Sequence, residues 1–290
     1  MIETNRFLYK SGNGLSEFSP SFSEHYTSKK DTQEEFQEQI TILRNLQSML
    51  YAQAKHGILI ILQAMDAGGK DGVIKHVMSG VNPQGCQVKS FKAPSSSELA
   101  HDFMWRCFKA MPERGNIGIF NRSYYEEVLI ARIHPRLLAN QNLPFFHNKL
   151  HKDPEFWNTR FEDIVNIEKY FVHNGYMVLK FFLNISHEEQ KQRFLSRIEN
   201  KTKNWKFLMS DVEERQHWHE YQKAYGDMLE KTAHELAPWY VIPADKKWYM
   251  RLVISKIIVE KLEGLNLSYP GVNEKHLQDI IKAREILKNE

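Results

Sequence analysis

The sequence has few of the features that mark specialised protein classes. Only two of its 290 residues are cysteines, Cys86 and Cys107, and they form no CxxC pair, which is typical of a reducing cytosol. The longest apolar runs, 58–62 and 177–183, are too short to cross a membrane. Glu3 and the polar residues around it argue against a signal peptide. We therefore expect a cytoplasmic protein that spans no membrane.

A strong net charge is also lacking. The chain has 39 basic and 36 acidic residues, 42% hydrophobic and 26% charged residues, which is ordinary for a globular protein. Bulk charge gives no reason to expect a nucleic-acid or membrane partner. One segment, 191–206, is nevertheless basic, and Glu199 is its only acid. Its basic residues are Lys191, Arg193, Arg197, Lys201, Lys203 and Lys206. Such a strip suits a polyanion, although a solvated helix face is the alternative.

The stretch 58–80 has the plan of a phosphate-binding loop. A short apolar run, 58–62, is typical of a strand buried on both faces of a parallel sheet. Glycines and Lys70 follow, and apolar residues then recur at helical spacing. Backbone amides at such a helix start bind phosphate oxygens, and the lysine adds a full charge. The loop residues expected to bind phosphate or nucleotide, besides Lys70, are Ala67, Gly68, Gly69, Asp71 and Gly72.

This loop departs from the common P-loop pattern in three places. Ala64 replaces the first glycine, Asp71 stands where Ser or Thr would bind magnesium, and Asp66 puts a carboxylate inside the loop. A carboxylate that faces phosphate is repelled unless a metal lies between them or it is protonated. The loop therefore predicts a phosphate and Mg²⁺ site, with Asp66 as a metal ligand and Asp71 as a second candidate. A tight turn whose glycines serve only geometry is the alternative.

A second polar segment follows another buried strand, 117–120. It begins Asn121-Arg122 and continues to Glu126 and Glu127. Open parallel sheets bind ligands at the carboxyl ends of their strands, and an arginine there can hold phosphate oxygens as a bidentate clamp. The alternative is a surface arginine that pairs with one of the two glutamates.

The remaining pattern predicts an α/β fold. Strands at 58–62, 86–91, 117–120, 177–183 and 239–242 alternate with amphipathic helices, which gives a five-stranded parallel sheet with helices on both faces. We expect an N-terminal arm or flexible lead-in at 1–31, a single domain at 32–290, and a helical lid at about 187–212.

Several local features are predicted as well. A capping box at Thr32 and Glu35 starts a helix that ends at Gly57, and another box at 95–98 starts a helix running to 108. A third cap, at 211–214, starts a long helix to about 232. In the loop after the basic helix, Trp205 and Phe207 are expected to pack.

The chain resembles the polyphosphate kinase 2 family, whose P-loop enzymes are similar in fold to thymidylate kinases. The resemblance extends over about 57–263. It depends on AMDAGGKDG at 64–72, FNRSYYE at 120–126, the lid residues Arg193, Arg197 and KNWKF at 203–207, and PWYVIPADK at 238–246. Asn121 and Glu126 stand where many members have Asp and Asn, which resembles the subgroup that accepts both nucleoside mono- and diphosphates.

The resemblance implies reversible transfer of the terminal phosphoryl group of polyphosphate to these nucleotides, with Mg²⁺ or Mn²⁺, in a dimer or tetramer. As a hypothesis, Lys70 and the amides of 68–70 bind the phosphates near the transfer point, Asp66 holds Mg²⁺, and Arg122 clamps the phosphates. Arg193 and Arg197 are expected to act as arginine fingers from the lid. Asn121 and Glu126 are expected to bind phosphate or nucleotide, and weaker candidates for steering the polyphosphate are Lys75, Lys89, Lys92, Arg132 and Lys201.

Two rival functions remain. An ATP-dependent nucleotide kinase on the same fold should keep Gly at position 64 and Ser or Thr at position 71, and this chain keeps neither. A non-catalytic polyphosphate-binding protein would bind the polyanion without transferring phosphate.

Overall fold

The architecture is a parallel β-sheet between two groups of helices, seen in a computed structural model that describes residues 2–290. The five strands lie in the order β2-β3-β1-β4-β5, and every neighbouring pair is parallel. The strands are β1 Gly57–Ala64, β2 Cys86–Ser90, β3 Ile117–Asn121, β4 Tyr176–Asn184 and β5 Trp239–Pro243. The predicted α/β fold with five parallel strands is confirmed.

Strand β1 lies in the centre of the sheet, and all eight of its residues are buried. It pairs with β3 on one side, where Leu62 lies opposite Asn121, and with β4 on the other, where Ala64 lies opposite Leu183. The carboxyl ends of β1 and β3 therefore lie side by side. This register brings the glycine-rich loop next to the segment that begins at Asn121.

Twelve α-helices connect and cover the strands within the described residues. Helices α1, α2 and α11 pack together in one group, and α7, α10 and α5 in the other. Their bounds are α1 Gln33–Gln53, α2 Lys70–Val77, α3 Ser96–Leu99, α4 Trp105–Phe108, α5 Ile130–Ile133, α6 Arg136–Ala139, α7 Pro154–His173, α8 His187–Glu199, α9 Met209–Glu214, α10 Trp218–Thr232, α11 Lys247–Glu263 and α12 Glu274–Lys288. Among these helices there is none with the length and apolarity that crossing a bilayer requires.

The predicted start of α1 is confirmed, since the helix begins at Gln33 with Thr32 as its N-cap residue, but the predicted capping bonds and the predicted end at Gly57 are wrong. Thr32 makes no capping hydrogen bond, because its hydroxyl donates to the Lys29 carbonyl and Glu35 is bound by Tyr26 and Lys256 instead. At the other end, Ala54 adopts the left-handed conformation with φ 51° and ends the helix before β1.

Two further helix predictions need correction. The capping box at Ser95 and Glu98 is confirmed, but the helix it starts ends at Leu99. The Asp102 side chain accepts a hydrogen bond from the Met104 amide and begins a second short helix, α4. Asp211 caps nothing: it lies inside α9, where its carboxylate pairs with Arg197 at 3.2 Å.

The N-terminal segment is packed against the domain rather than extended as a flexible lead-in. Phe7, Tyr9 and Tyr26 are buried, and Leu8 forms an antiparallel bridge with Tyr240 of the edge strand β5. The spacing of these aromatic residues follows neither a helix nor a strand, so periodicity does not reveal them. The division into arm, domain and lid stays a prediction.

Candidate active site

A cavity of about 610 Å³ opens where β1 and β3 end. Four segments distant in sequence form its walls: the loop between β1 and α2, the turn after β2, the turn after β3, and the stretch from the end of α8 into α9. It is lined by Asp66, Ala67, Gly68, Gly69, Lys70, Asp71, Gly72, Ser90, Phe91, Lys92, Ala93, Asn121, Arg122, Arg197, Trp205, Lys206 and Asp211. The structure thus brings together most of the predicted site residues.

The loop between β1 and α2 needs its glycines for space and for backbone geometry. A Cβ at Gly68 would lie 2.6 Å from the Ala64 Cβ and 2.8 Å from the Met65 carbonyl oxygen, which no side chain tolerates. Gly69 has φ +113°, a conformation that L side chains rarely adopt. The tight turn aims the first amides of α2 at the cavity, as in an anion-binding helix start.

Lys70 is buried beneath this loop without a carboxylate partner. Its Nζ donates to the carbonyl oxygens of Ala64 at 2.7 Å and Met65 at 3.4 Å. Burial, and then the charge of Arg122, lower the pKa of Lys70 to about 8. The ammonium is therefore mostly charged at neutral pH, and only neutral carbonyls compete with phosphate for it.

Arg122 and Asp66 form an ion pair across the cavity. Arg122 Nη2 lies 2.6 Å from Asp66 Oδ1, and its Nη1 lies 3.8 Å from Glu126 Oε2. The charge of Glu126 raises the pKa of Arg122, with Asp66 adding to the effect. Arg122 itself has φ 64°, so its backbone is in the left-handed region at the end of β3. The strand end and the two acids together fix where this guanidinium points.

Asp71, in the first turn of α2, is held by two polar side chains. Asn121 Nδ2 donates to its Oδ1 at 2.9 Å, and Lys206 Nζ lies 3.1 Å from its Oδ2. Burial disfavours the charged form, but these two bonds outweigh it and hold the pKa of Asp71 below its ordinary value. Asn121 therefore positions Asp71 with its amide. The role of Lys206 was not separated by sequence reasoning from that of the other lysines in its strip.

The two lid arginines differ in their surroundings. Arg193 is buried and uses its whole guanidinium on the protein: Nη1 donates to Ala67 and Gly68 at 2.9 Å each, Nη2 to Ala244 and Asp245, and Nε to Glu189. It holds the loop from behind, and each of its guanidinium nitrogens already donates to a protein oxygen, which the predicted role as an arginine finger did not anticipate. Arg197 lines the cavity and pairs with Asp211.

Other predicted residues lie further from the cavity. Lys92 lines it, whereas Lys75, Lys89 and Lys201 are exposed residues outside its walls. Arg132 points away, since its Nη2 pairs with Asp227 at 2.7 Å. Trp205 was expected to pack, but its side chain is 77% exposed at the cavity mouth.

A second cavity of about 260 Å³ adjoins the first, and the two share Phe91, Lys92, Ala93 and Arg122. Its walls are mainly apolar, with Leu99, Ile130 and Leu137 among them, and Glu126 and Gln141 are two of its polar residues. Sequence reasoning missed this cavity because its apolar residues come from short, irregular helices.

Two carboxylates of the first cavity could hold a metal ion. Asp66 and Asp71 both line it, and the Asn121 amide lies between the loop and β3. Within residues 2–290 no group of three or more His, Cys, Asp or Glu side chains is placed to bind a metal. Mg²⁺ is usually held by one or two carboxylates together with substrate phosphates, so this donor set fits it.

Comparison with known proteins agrees with this geometry. The chain is 46% identical over 288 residues to an ADP-polyphosphate phosphotransferase of Rhodopseudomonas palustris, covering 99% of each chain. It is also 46% identical over 228 residues to an AMP/ADP-polyphosphate phosphotransferase of Meiothermus ruber, covering 79% of this chain and 80% of that one. The crystal structure of polyphosphate kinase 2 from Arthrobacter aurescens matches with a TM-score of 0.87 and 35% identity, over 98% of this chain and 95% of that chain.

The model of the family described as polyphosphate kinase 2 (PPK2) matches residues 26–269. That range contains the loop with Lys70, the segment with Arg122, and the lid arginines. The chain belongs to the polyphosphate kinase 2 family.

Proposed function

We propose that the protein is an enzyme that transfers the terminal phosphoryl group of inorganic polyphosphate to nucleoside mono- and diphosphates, reversibly and with Mg²⁺. The observation that carries this proposal is the placement of Lys70 and Arg122 on two sides of one cavity that continues into a second, apolar one. Phosphoryl transfer needs mainly positioning and charge neutralisation from a protein, and this site supplies both.

The donor phosphates bind at the glycine loop. Its amides and the Lys70 ammonium provide the positive potential, and the ammonium, whose acceptors at 2.7 and 3.4 Å are neutral carbonyls, can turn to phosphate oxygens. Arg193 keeps the loop in shape by binding its carbonyls from behind. A terminal phosphoryl group held there faces Arg122 across the cavity.

The acceptor nucleotide binds with its nucleoside in the second cavity. Flat, apolar base faces suit walls built from Phe91, Leu99 and Leu137, and few polar groups are needed to orient them. The acceptor phosphate then lies at the junction of the cavities, beside Lys92 and Arg122. An acceptor phosphate is already largely ionised near neutral pH, so the site requires no strong general base.

Mg²⁺ would be held by the carboxylates of Asp66 and Asp71, which both line the cavity. When bound, the ion neutralises the charge that develops on the phosphate oxygens. If Asp66 held the ion, it would no longer pair with Arg122, and that guanidinium would be free to clamp phosphate. Arg197, the lid arginine that lines the cavity, is the candidate arginine finger.

The most direct test omits ATP. Purified protein is incubated with polyphosphate and Mg²⁺, with AMP or ADP as separate acceptors, and the products are separated by anion-exchange chromatography. We expect ADP from AMP and ATP from ADP, and no product with the Lys70→Ala variant. A parallel reaction with ATP and AMP but no polyphosphate tests the rival function. An ATP-dependent kinase would phosphorylate AMP faster with ATP than with polyphosphate as the donor.

Binding of polyphosphate without any transfer would instead support the non-catalytic rival. A dimer or tetramer, which the family resemblance implies, stays a prediction that light scattering on the eluting protein can test.

A further inference from the structure

The second cavity has a wall that its own short helices cannot hold in place. Helices α5 and α6, which contribute Ile130 and Leu137 to this wall, are each only four residues long. A single helical turn is not stable without tertiary support. The position of this wall must therefore be fixed by contacts to a more stable part of the fold.

Arg160 provides these contacts from the 20-residue helix α7. Its side chain is buried, and its guanidinium lies against the rings of Phe156 and Phe103, at 4.8 and 5.1 Å from their centroids. Arg160 does not line the second cavity, but it lines a smaller cavity of about 100 Å³ that shares Glu127 and Gln141 with it. Arg160 is therefore placed to act on the second cavity through other residues.

Two residues of the cavity wall bind Arg160. Its Nη2 donates to Gln141 Oε1, and its Nη1 lies 3.4 Å from the Glu127 carbonyl oxygen and 3.5 Å from the Glu127 Oε2. Gln141 Nε2 also donates to that Oε2 at 2.6 Å, so the three side chains form a closed network. Glu127 precedes α5 and Gln141 follows α6. The segment of short helices is thus tied to α7 at both ends.

Glu127 extends the network to the opposite wall. Its Oε1 lies 3.8 Å from Arg106 Nη2, and Arg106 Nη1 donates to the Lys92 carbonyl oxygen at 2.8 Å. Lys92 is in the turn after β2 and lines both cavities. The contacts from Arg160 through Glu127 and Arg106 therefore connect α7 to the junction where the acceptor phosphate would lie.

We propose that Arg160 is a positioning residue for the acceptor nucleotide: through Glu127 and Gln141 it sets the width of the second cavity and the place of the acceptor phosphate. The proposal rests on the proposed function, because it assumes that the nucleoside occupies this cavity. Arg193 is the counterpart on the donor side, where it binds carbonyls of the glycine loop. Each of the two cavities thus has a buried arginine that holds its wall.

The two substrates separate this role from a general loss of stability. Arg160→Met keeps an aliphatic side chain against the aromatic rings but removes the hydrogen bonds to Glu127 and Gln141. In steady-state kinetics of the folded variant we expect the KM for ADP to rise about tenfold or more, because a small displacement of a bound reactant has a large effect. The KM for polyphosphate, which binds at the glycine loop, should stay within about twofold of wild type.

Three further variants make the test specific. Arg160→Lys keeps a charge opposite Glu127 and should raise the KM for ADP less than Arg160→Met does. Gln141→Leu removes one of the same links without removing a charge, so it replaces Arg160→Met if that variant does not fold. Lys256→Met is the matched control: it removes a cation that pairs with Glu35 and lines neither cavity, so both KM values should stay as in wild type.

Three results would each overturn the proposal: an unchanged KM for ADP in the folded Arg160→Met variant, or in its replacement Gln141→Leu; an equal rise of the KM values for ADP and polyphosphate; and an equal rise of the KM for ADP in the Lys256→Met control. Failure of the proposed function looks different, because the wild-type protein would then transfer nothing from polyphosphate to ADP or AMP.

Discussion

Two ion pairs of equal length occupy opposite environments in this protein. Arg122–Asp66 in the active site and Lys180–Glu168 in the core both measure 2.6 Å between the charged atoms. The side chains of the first pair are 35% and 32% exposed, whereas those of the second are fully buried. The comparison separates charge used for chemistry from charge used for structure.

The core pair is satisfied from every side. Lys180 also donates to the Tyr125 hydroxyl and the Thr232 carbonyl, and Glu168 accepts from Tyr124, Tyr125 and His234. Although burial opposes ionisation, Lys180 holds the pKa of Glu168 below its ordinary value. This network fixes the two tyrosines that follow Arg122-Ser123 in the chain.

The active-site pair has fewer partners and can be exchanged. Asp66 and Arg122 face a cavity wide enough for phosphate and metal. Asp66 can therefore exchange Arg122 for a metal ion, and Arg122 can exchange Asp66 for phosphate. The buried pair Lys180–Glu168 resists such exchange, because removing one partner leaves an uncompensated charge. The fold thus places a rigid ionic network directly behind an exchangeable one.

Removing the active-site cations should have the largest effect on turnover. Lys70→Ala and Arg122→Ala should each lower turnover of polyphosphate by about 10³-fold or more, the magnitude seen when a phosphate-clamping arginine is lost. Both variants should fold normally, as circular dichroism can show. Wild-type turnover in either folded variant would remove that residue from the mechanism.

The core pair should respond in the opposite way. Lys180→Met leaves Glu168 buried without its cation, and we expect the free energy of unfolding to fall by about 3–5 kcal/mol. Urea titration measures this loss. The double variant Lys180→Met/Glu168→Leu removes both charges and should recover much of the stability; a double variant as unstable as the single one would contradict this account of the pair.

The two lid arginines show the same contrast, because Arg193 is buried and Arg197 lines the cavity. Arg193→Lys loses most of the bonds to the loop carbonyls, so unfolding free energy should fall by about 1–3 kcal/mol and kcat should fall with it. Arg197→Ala should lower kcat while the unfolding curve stays within error of wild type. An unchanged stability of Arg193→Lys would argue against its positioning role.

The smallest effect concerns pH. The pKa of Lys70 is lowered to about 8, so the free enzyme loses this charge as pH rises through that value. We expect kcat/KM for polyphosphate to fall up to about tenfold per pH unit above pH 8. The kcat limb should lie at higher pH, because bound phosphate favours the ammonium. A flat kcat/KM profile between pH 7 and 9.5 would contradict the prediction.

Much of the fold could be predicted from the sequence because β1, β3, β4 and β5 are short apolar runs bounded by polar turns. Each strand extends at most two residues beyond its predicted limits at either end. The helix ends were harder, since they depend on tertiary partners: Glu35 binds Tyr26 and Lys256 instead of capping its own helix.

The same distinction holds for the site. Lys70, Asp66 and Arg122 follow strands directly, so their convergence follows from the parallel sheet. Other features depend on how α8 and α11 pack, and no local pattern encodes that packing. They are the burial of Arg193 behind the loop, the exposure of Trp205 and the buried Arg251 Nε that has no hydrogen-bond partner.

We expect Lys70, the glycine loop and Arg122 to bind polyphosphate once Asp66 has released the guanidinium. A crystal structure with polyphosphate and Mg²⁺ tests it most directly. We predict phosphate oxygens within about 3 Å of the Lys70 Nζ, a metal ion on Asp66, and no remaining contact between Asp66 and Arg122. Polyphosphate bound elsewhere, with the Arg122–Asp66 pair intact at 2.6 Å, would contradict the account.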